Sequence, residues 1–172
     1  NITLNNGVQD AALVRQCLAY KVFRDAGQAA PRCSFAQVSM NGEDLGIYVH
    51  VEPVKRMFLR QHFPTDDGDL YEGTVSDFVP GWENTFEPKN YDTDWQLEAI
   101  RDITSRLDIG QDPAEVVEQY FDVDSMLTHF ALEAIVGHWD GYVGNRNNFY
   151  IYRDPESTLF TFIPWGTDRT FR

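Results

Sequence analysis

One stretch of this sequence concentrates chemistry: His138-Trp139-Asp140-Gly141-Tyr142-Val143-Gly144-Asn145-Arg146-Asn147-Asn148. An Asp followed five positions later by an Asn is the layout that phosphoryl transfer uses in protein kinases. In that layout the Asp accepts or orients the proton of an attacking hydroxyl, and the Asn carbonyl oxygen binds a divalent cation that bridges nucleotide phosphates. A second cation ligand comes from an Asp after the next hairpin. Here that strand ends Phe162-Ile163-Pro164-Trp165-Gly166-Thr167-Asp168. Asp140 is therefore the candidate base, and Asn145 and Asp168 are the candidate metal ligands. Spacing alone also allows a plain turn in which Asp140 and Asn145 bond their own backbone. Two Gly, three Asn and one Asp in eleven residues, beside a Pro-Trp-Gly-Thr-Asp strand end, favour the catalytic reading.

The elements that must position these groups can be read from periodicity. Asp10 is expected to open a helix with Leu13, Cys17, Leu18 and Val22 at helical steps, stopped at Gly27. Cys33 to Met40 alternates as a strand. Asn41-Gly42 is a hairpin turn signal, because that pair tolerates positive φ. The return strand runs from Gly46 to Val51, and Val54 to Phe63 reads as a helix. Thr74 to Asn90, with Pro80, Gly81 and Pro88, has no period and is expected to be loop with at most one short strand. Helices are expected over Asp94 to Leu107, Ala114 to Tyr120 after Pro113, and Asp122 to Val136. The polar loop from His138 to Asn147 follows, then strands Phe149 to Tyr152 and Leu159 to Ile163 around an Asp154-Pro155-Glu156-Ser157 turn. Without repeats or a linker, this describes one α+β domain. It has a hairpin-and-helix region over 1–72 and a helical and catalytic-loop region over 92–172.

Composition narrows the class. The chain has 172 residues, 42% hydrophobic and 14% aromatic, which is globular rather than disordered. A net charge of -13 argues against a nucleic-acid partner, whose phosphates need clustered Lys and Arg. No apolar run is long enough to span a membrane. Both ends read as cut, so the chain is expected to be a fragment that is inactive when isolated. Cys17 and Cys33 are placed so that either a bridge or two buried thiols is compatible with the pattern.

The chain resembles the CotH kinase family of spore coat protein H-like atypical protein kinases. The likeness runs through Leu4-Asn5-Asn6, Asp10, Arg15 and Leu18-Ala19. It continues in Val38-Ser39-Met40-Asn41-Gly42-Glu43, Gly46-Ile47-Tyr48 and Val51-Glu52-Pro53-Val54, then in Asp67-Gly68-Asp69-Leu70-Tyr71. It ends in His138-Trp139-Asp140, Asn145-Arg146-Asn147-Asn148-Phe149-Tyr150 and Ile163-Pro164-Trp165. The resemblance implies an atypical kinase-like fold, truncated here at both ends. It also implies transfer of the ATP γ-phosphoryl group to Ser or Thr of a coat or surface protein, with Mg or Mn, in an extracellular, spore-coat or cell-surface setting.

Further roles follow from the likeness. Trp165 is a candidate to stack on adenine or to be a core residue. Tyr71 is a second candidate nucleotide wall or a structural strand residue. Glu72 stands where family members often carry Lys, which leaves Lys89 as the internal candidate for a phosphate-facing Lys. Glu52 is expected to pair such a Lys or to cap the following helix. Arg146 is expected to meet a phosphate or the loop's own carbonyls. His138 is expected to hold the loop through a backbone bond. Gly166 departs from the acidic residue that many family members carry there. That departure keeps open a catalytically inactive kinase-like binding module. A calcium-binding surface domain, suggested by Asp66-Asp67-Gly68-Asp69, is the third class; the run into Leu70-Tyr71 does not fit an EF-hand.

Overall fold

The computed structural model describes residues 2–90 and 97–171. Among the described residues it is an α+β molecule with two antiparallel sheets and six helices. The first sheet has the order β1-β3-β2, with β1 Thr3–Asn5, β2 Cys33–Met40 and β3 Glu43–Val51. The β2–β3 turn is at Asn41-Gly42, both with positive φ, as that pair predicts. Val38 pairs with Gly46 and Ser39 with Asp44, so Leu45 is the extra residue of a bulge in β3, and β3 begins at Glu43, earlier than alternation alone suggests.

Helix α1 spans Arg15–Asp25. Its expected start at Asp10 is corrected. The Asp10 carboxylate accepts from the backbone N–H groups of Ala12 and Arg15, and Leu13 takes φ 58°, so the chain turns before it coils. Gly27, at φ 83°, stops the helix as expected. Cys17 and Cys33 are joined, 5.3 Å apart at Cα, which fastens α1 to β2.

Helix α2 covers Arg56–His62 and leads to β4, Asp69–Gly73. The Thr74 to Asn90 stretch holds a 3-10 turn and the short strand β5, Phe86–Pro88. Helices α3 (Glu98–Asp108), α4 (Pro113–Tyr120) and α5 (Val123–Val136) follow. The proposed first turn of α3 at Asp94 to Gln96 lies outside the described residues. Asp112 and Asp122 cap α4 and α5 by accepting from Ala114 and Ser125, and Pro113 occupies the first turn of α4. Strands β6 (Phe149–Arg153) and β7 (Phe160–Pro164) complete the second sheet, in the order β5-β4-β6-β7.

The core has three parts. Ile100 and Ile103 of α3, Val116 of α4, and Phe149, Phe160 and Phe162 of the second sheet form the first. Tyr20 and Phe23 of α1 pack on Val49, Val51, Leu132 and Val136 in the second. Phe58 and Leu59 of α2 pack on Leu70, Tyr152 and Ile163 in the third. Each such side chain, when buried, contributes about 1.5–3 kcal/mol. Trp165 touches the second and third parts, so the strand end carrying it is wedged between the α1 and α2 regions. Among the described residues no helix is long and apolar enough to cross a membrane.

Candidate active site

The loop after α5 is shorter in its irregular part than expected, because Tyr142–Asn145 closes one helical turn, α6. That turn brings the side chains at 140 and 145 together. Asn145 Nδ2 donates to Asp140 Oδ1 at 2.7 Å, and Asn147 Nδ2 donates to the same oxygen at 3.3 Å. Asn148 Nδ2 donates to Asp140 Oδ2 at 2.9 Å and to the Asp140 carbonyl at 3.1 Å. The carboxylate is thus ringed by side-chain amides, which orient it without neutralising it. Because the Asn145 NH2 faces Asp140, its amide oxygen points away, as a cation ligand requires.

The turn carrying Asp168 is a 3-10 segment, Thr167–Arg169, and it abuts the loop at several points. His138 Nε2 lies 3.1 Å from the Trp165 carbonyl, so it donates there, and the Trp165 N–H donates to the Asn148 carbonyl at 3.1 Å. Arg169 sits over the Trp139 ring, 5.3 Å from its centroid. Beneath, Thr167 Oγ1 donates to the Gln16 carbonyl, so α1 supports the turn. Burial pushes the His138 imidazole below its ordinary value, despite the nearby Glu133 and Asp140 charges. The expected structural role of His138 is what the geometry shows.

Oxygen donors of Asn145 and Asp168 suit a hard cation such as Mg or Mn. Among the described residues no three His, Cys, Asp or Glu side chains gather as a metal cage.

The other candidates are distributed more widely. Trp165 is half-buried, stands edge-on to Tyr150 at 5.4 Å, and lines a hollow of about 330 Å³ with Pro53, Val54, Lys55 and Tyr150. Tyr71 is instead 1% exposed within the first core, which is the structural one of its two places. Lys89 Nζ contacts Glu72 at 2.5 Å and Glu87 at 2.8 Å. Burial opposes the charge on Lys89, but those carboxylates outweigh it and hold the ammonium above its usual range. Glu52 grips Arg32, through Oε1 at 2.6 Å to NH2 and Oε2 at 3.1 Å to Nε. It neither meets Lys89 nor caps α2, whose capping residue Lys55 makes no side-chain cap bond. Arg146 bonds Asp77 at 2.5 Å rather than a loop carbonyl. The acidic turn suggested for calcium is occupied by arginines: Asp66 pairs with Arg56 and Arg60, and Asp67 with Arg56.

Several contributing residues were not singled out by sequence reasoning. Asn147 and Asn148 stood inside the motif without roles. Asp77, which also accepts from the Tyr142 hydroxyl at 2.9 Å, lies in the stretch without periodicity. Glu133 is 2% exposed in a mostly apolar helix, and a carboxylate four residues after His129 on such a helix signals a buried polar pair.

Two curated relatives match. The inner spore coat protein H of Bacillus subtilis is 28% identical over 185 residues, which takes in 99% of this chain and 49% of that protein. The spore coat protein homolog 1 of Rhizopus delemar is 27% identical over 158 residues, taking in 85% of this chain and 26% of that protein. The chain therefore spans about half the length of the first and about a quarter of the second. The family model described as CotH kinase protein matches residues 1–172. With the motifs in order along the whole chain and the Asp140 loop folded as one unit, this chain belongs to the CotH kinase family.

Proposed function

We propose that this chain carries the catalytic loop and metal-binding turn of a divalent-metal-dependent protein kinase in a spore coat or cell-surface setting. The observation that carries the reading is the Asp140 carboxylate held by the amides of Asn145, Asn147 and Asn148. In the proposed step, a Ser or Thr hydroxyl oxygen of a coat or surface protein attacks the ATP γ-phosphorus. The bond from that phosphorus to the β-γ bridging oxygen breaks, ADP leaves, and the hydroxyl proton passes to Asp140. A divalent cation, when bound, would neutralise charge on the phosphates. Asn145 and Asp168 would hold it. The Trp165–Tyr150 hollow, where two rings and Pro53 and Val54 stand beside the polar Thr3 and Lys55, offers aromatic faces to a flat adenine ring.

A second reading, a catalytically inactive kinase-like module in coat or surface assembly, has its own support. Gly166 supplies no carboxylate, and Lys89 is already engaged by Glu72 and Glu87. Incorporation of labelled phosphate from ATP by the full-length protein, lost in Asp140→Asn, supports the kinase. No incorporation into any acceptor, together with no thermal shift on adding ATP and Mg or Mn, overturns it in favour of the module.

A further inference from the structure

We infer that Glu133 is a positioning residue for Asp140, clamping the start of α6 from the neighbouring helix; the catalytic part of this inference rests on the role proposed for Asp140. Glu133 lies in the last turn of α5 and is 2% exposed. A buried carboxylate is costly unless both oxygens find donors. Here each does. Oε1 accepts the Tyr142 N–H at 3.0 Å, and Oε2 accepts the Val143 N–H at 2.9 Å. These are among the first N–H groups of α6, which a helix start leaves without intrahelical partners. The residue before α6 is Gly141, which has no side chain to cap them. The cap is therefore supplied from outside.

The sequence makes room for it. A Cβ at Gly141 would stand 2.2 Å from Glu133 Oε1 and 2.6 Å from His138 Cδ2, so only glycine lets the carboxylate reach the backbone. His129, fully buried one turn earlier on α5, places Nε2 3.3 Å from Oε1. Burial works against the charge, but His129 and the Val143 N–H outweigh it, and the Glu133 carboxyl is held below its ordinary range.

The consequence falls on the catalytic pair. Asp140 immediately precedes Gly141, and Asn145 ends α6, its N–H bonded to the Gly141 carbonyl at 2.9 Å. Fixing the N–H groups of 142 and 143 on one rigid carboxylate sets both the position of α6 and the separation of the two functional side chains. Glu133 touches none of the reacting groups and acts through the backbone.

The requirement is for a carboxylate in particular. Glu133→Gln keeps the shape but has one accepting oxygen, and its NH2 would face a backbone N–H. In the full-length protein, Glu133→Gln is expected to raise hydrogen exchange in a peptide covering residues 139–146 by about tenfold or more, with peptides from β6 and β7 unchanged. It is also expected to lower kcat about a hundredfold with KM for ATP nearly unchanged, the effect of a misplacement of about 1 Å. If the variant unfolds, the wild type still decides. Exchange in that peptide, corrected for the pH dependence of intrinsic exchange, should accelerate as Glu133 protonates while the β6–β7 peptides stay protected. Unchanged exchange at 139–146 in the variant, or in the wild type through that titration, overturns the clamp. Faster exchange with unchanged kcat overturns the positioning role. A wild type that transfers no phosphate sinks the kinase reading, while the exchange data still judge the clamp by themselves.

Discussion

Asn148 and Gly166 share one small space. The Asn148 amide nitrogen is bonded to Asp140, and its amide oxygen lies 2.5 Å from the point where a Cβ on Gly166 would stand. Gly166 itself adopts φ 52°. Glycine at position 166 is thus matched by the packing around it. Gly166→Ala is expected to cost about 1–3 kcal/mol, from left-handed backbone strain and displacement of Asn148. Urea unfolding measures it. Adding Asn148→Ala should recover part of the loss, so the double-mutant cycle should be non-additive; additive costs would show that the two residues do not compete.

The amides around Asp140 should be unequal. Asn148→Ala removes a partly buried, charge-assisted bond of 2.9 Å and is expected to cost about 1.5–3 kcal/mol. Asn147→Ala removes a longer bond of 3.3 Å and should cost less, about 1 kcal/mol or below. Asn145→Ala, at an exposed position, should change stability least and metal dependence most, read as a higher Mg concentration for half-maximal phosphate incorporation. Equal metal dependence in all three variants would remove Asn145 as a ligand.

Acid should loosen the loop in two steps. His138 is buried, donates through Nε2 to the Trp165 carbonyl, and its Nδ1 has no hydrogen-bond partner among the described residues. Its folded-state pKa is depressed mainly by burial, so its stabilising effect is complete above the ordinary imidazole value of about 6.5. That effect declines as pH falls below this value toward the folded pKa. Glu133 is also depressed, so its contribution is present above the usual carboxylate range and lost at still lower pH. Urea midpoints measured across pH should show the first step vanish in His138→Asn and the second in Glu133→Gln.

Reduction should act at a distance. The Cys17–Cys33 bond closes a loop with a sequence separation of 16 and ties α1 to β2. Its loss is expected to cost about 3 kcal/mol by loop entropy. Because α1 also supports the Asp168 turn through Gln16 and Thr167, nucleotide-induced thermal stabilisation should fall as well. The Cys17→Ser/Cys33→Ser protein, compared by calorimetry with and without ATP and Mg, checks both parts.

The α+β class, the order of nearly every element, the Asn41-Gly42 hairpin and the family are legible in the residues alone. Periodicity, caps and turn residues act over a few positions, and each is written locally. Asp140 and Asn145 are marked too, because their spacing is short enough for one helical turn to bring them together, and His138 stands beside them in the same motif. The remaining partnerships come from the packing of distant segments. Glu52 chose Arg32, Lys89 chose Glu72 and Glu87, and Arg146 chose Asp77, 69 positions away. Tyr71 went to the core, and the two cysteines joined. Long side chains with a fixed charge take whichever counter-ion the packed sheets bring within reach, and that proximity is a property of the fold rather than of any window of residues.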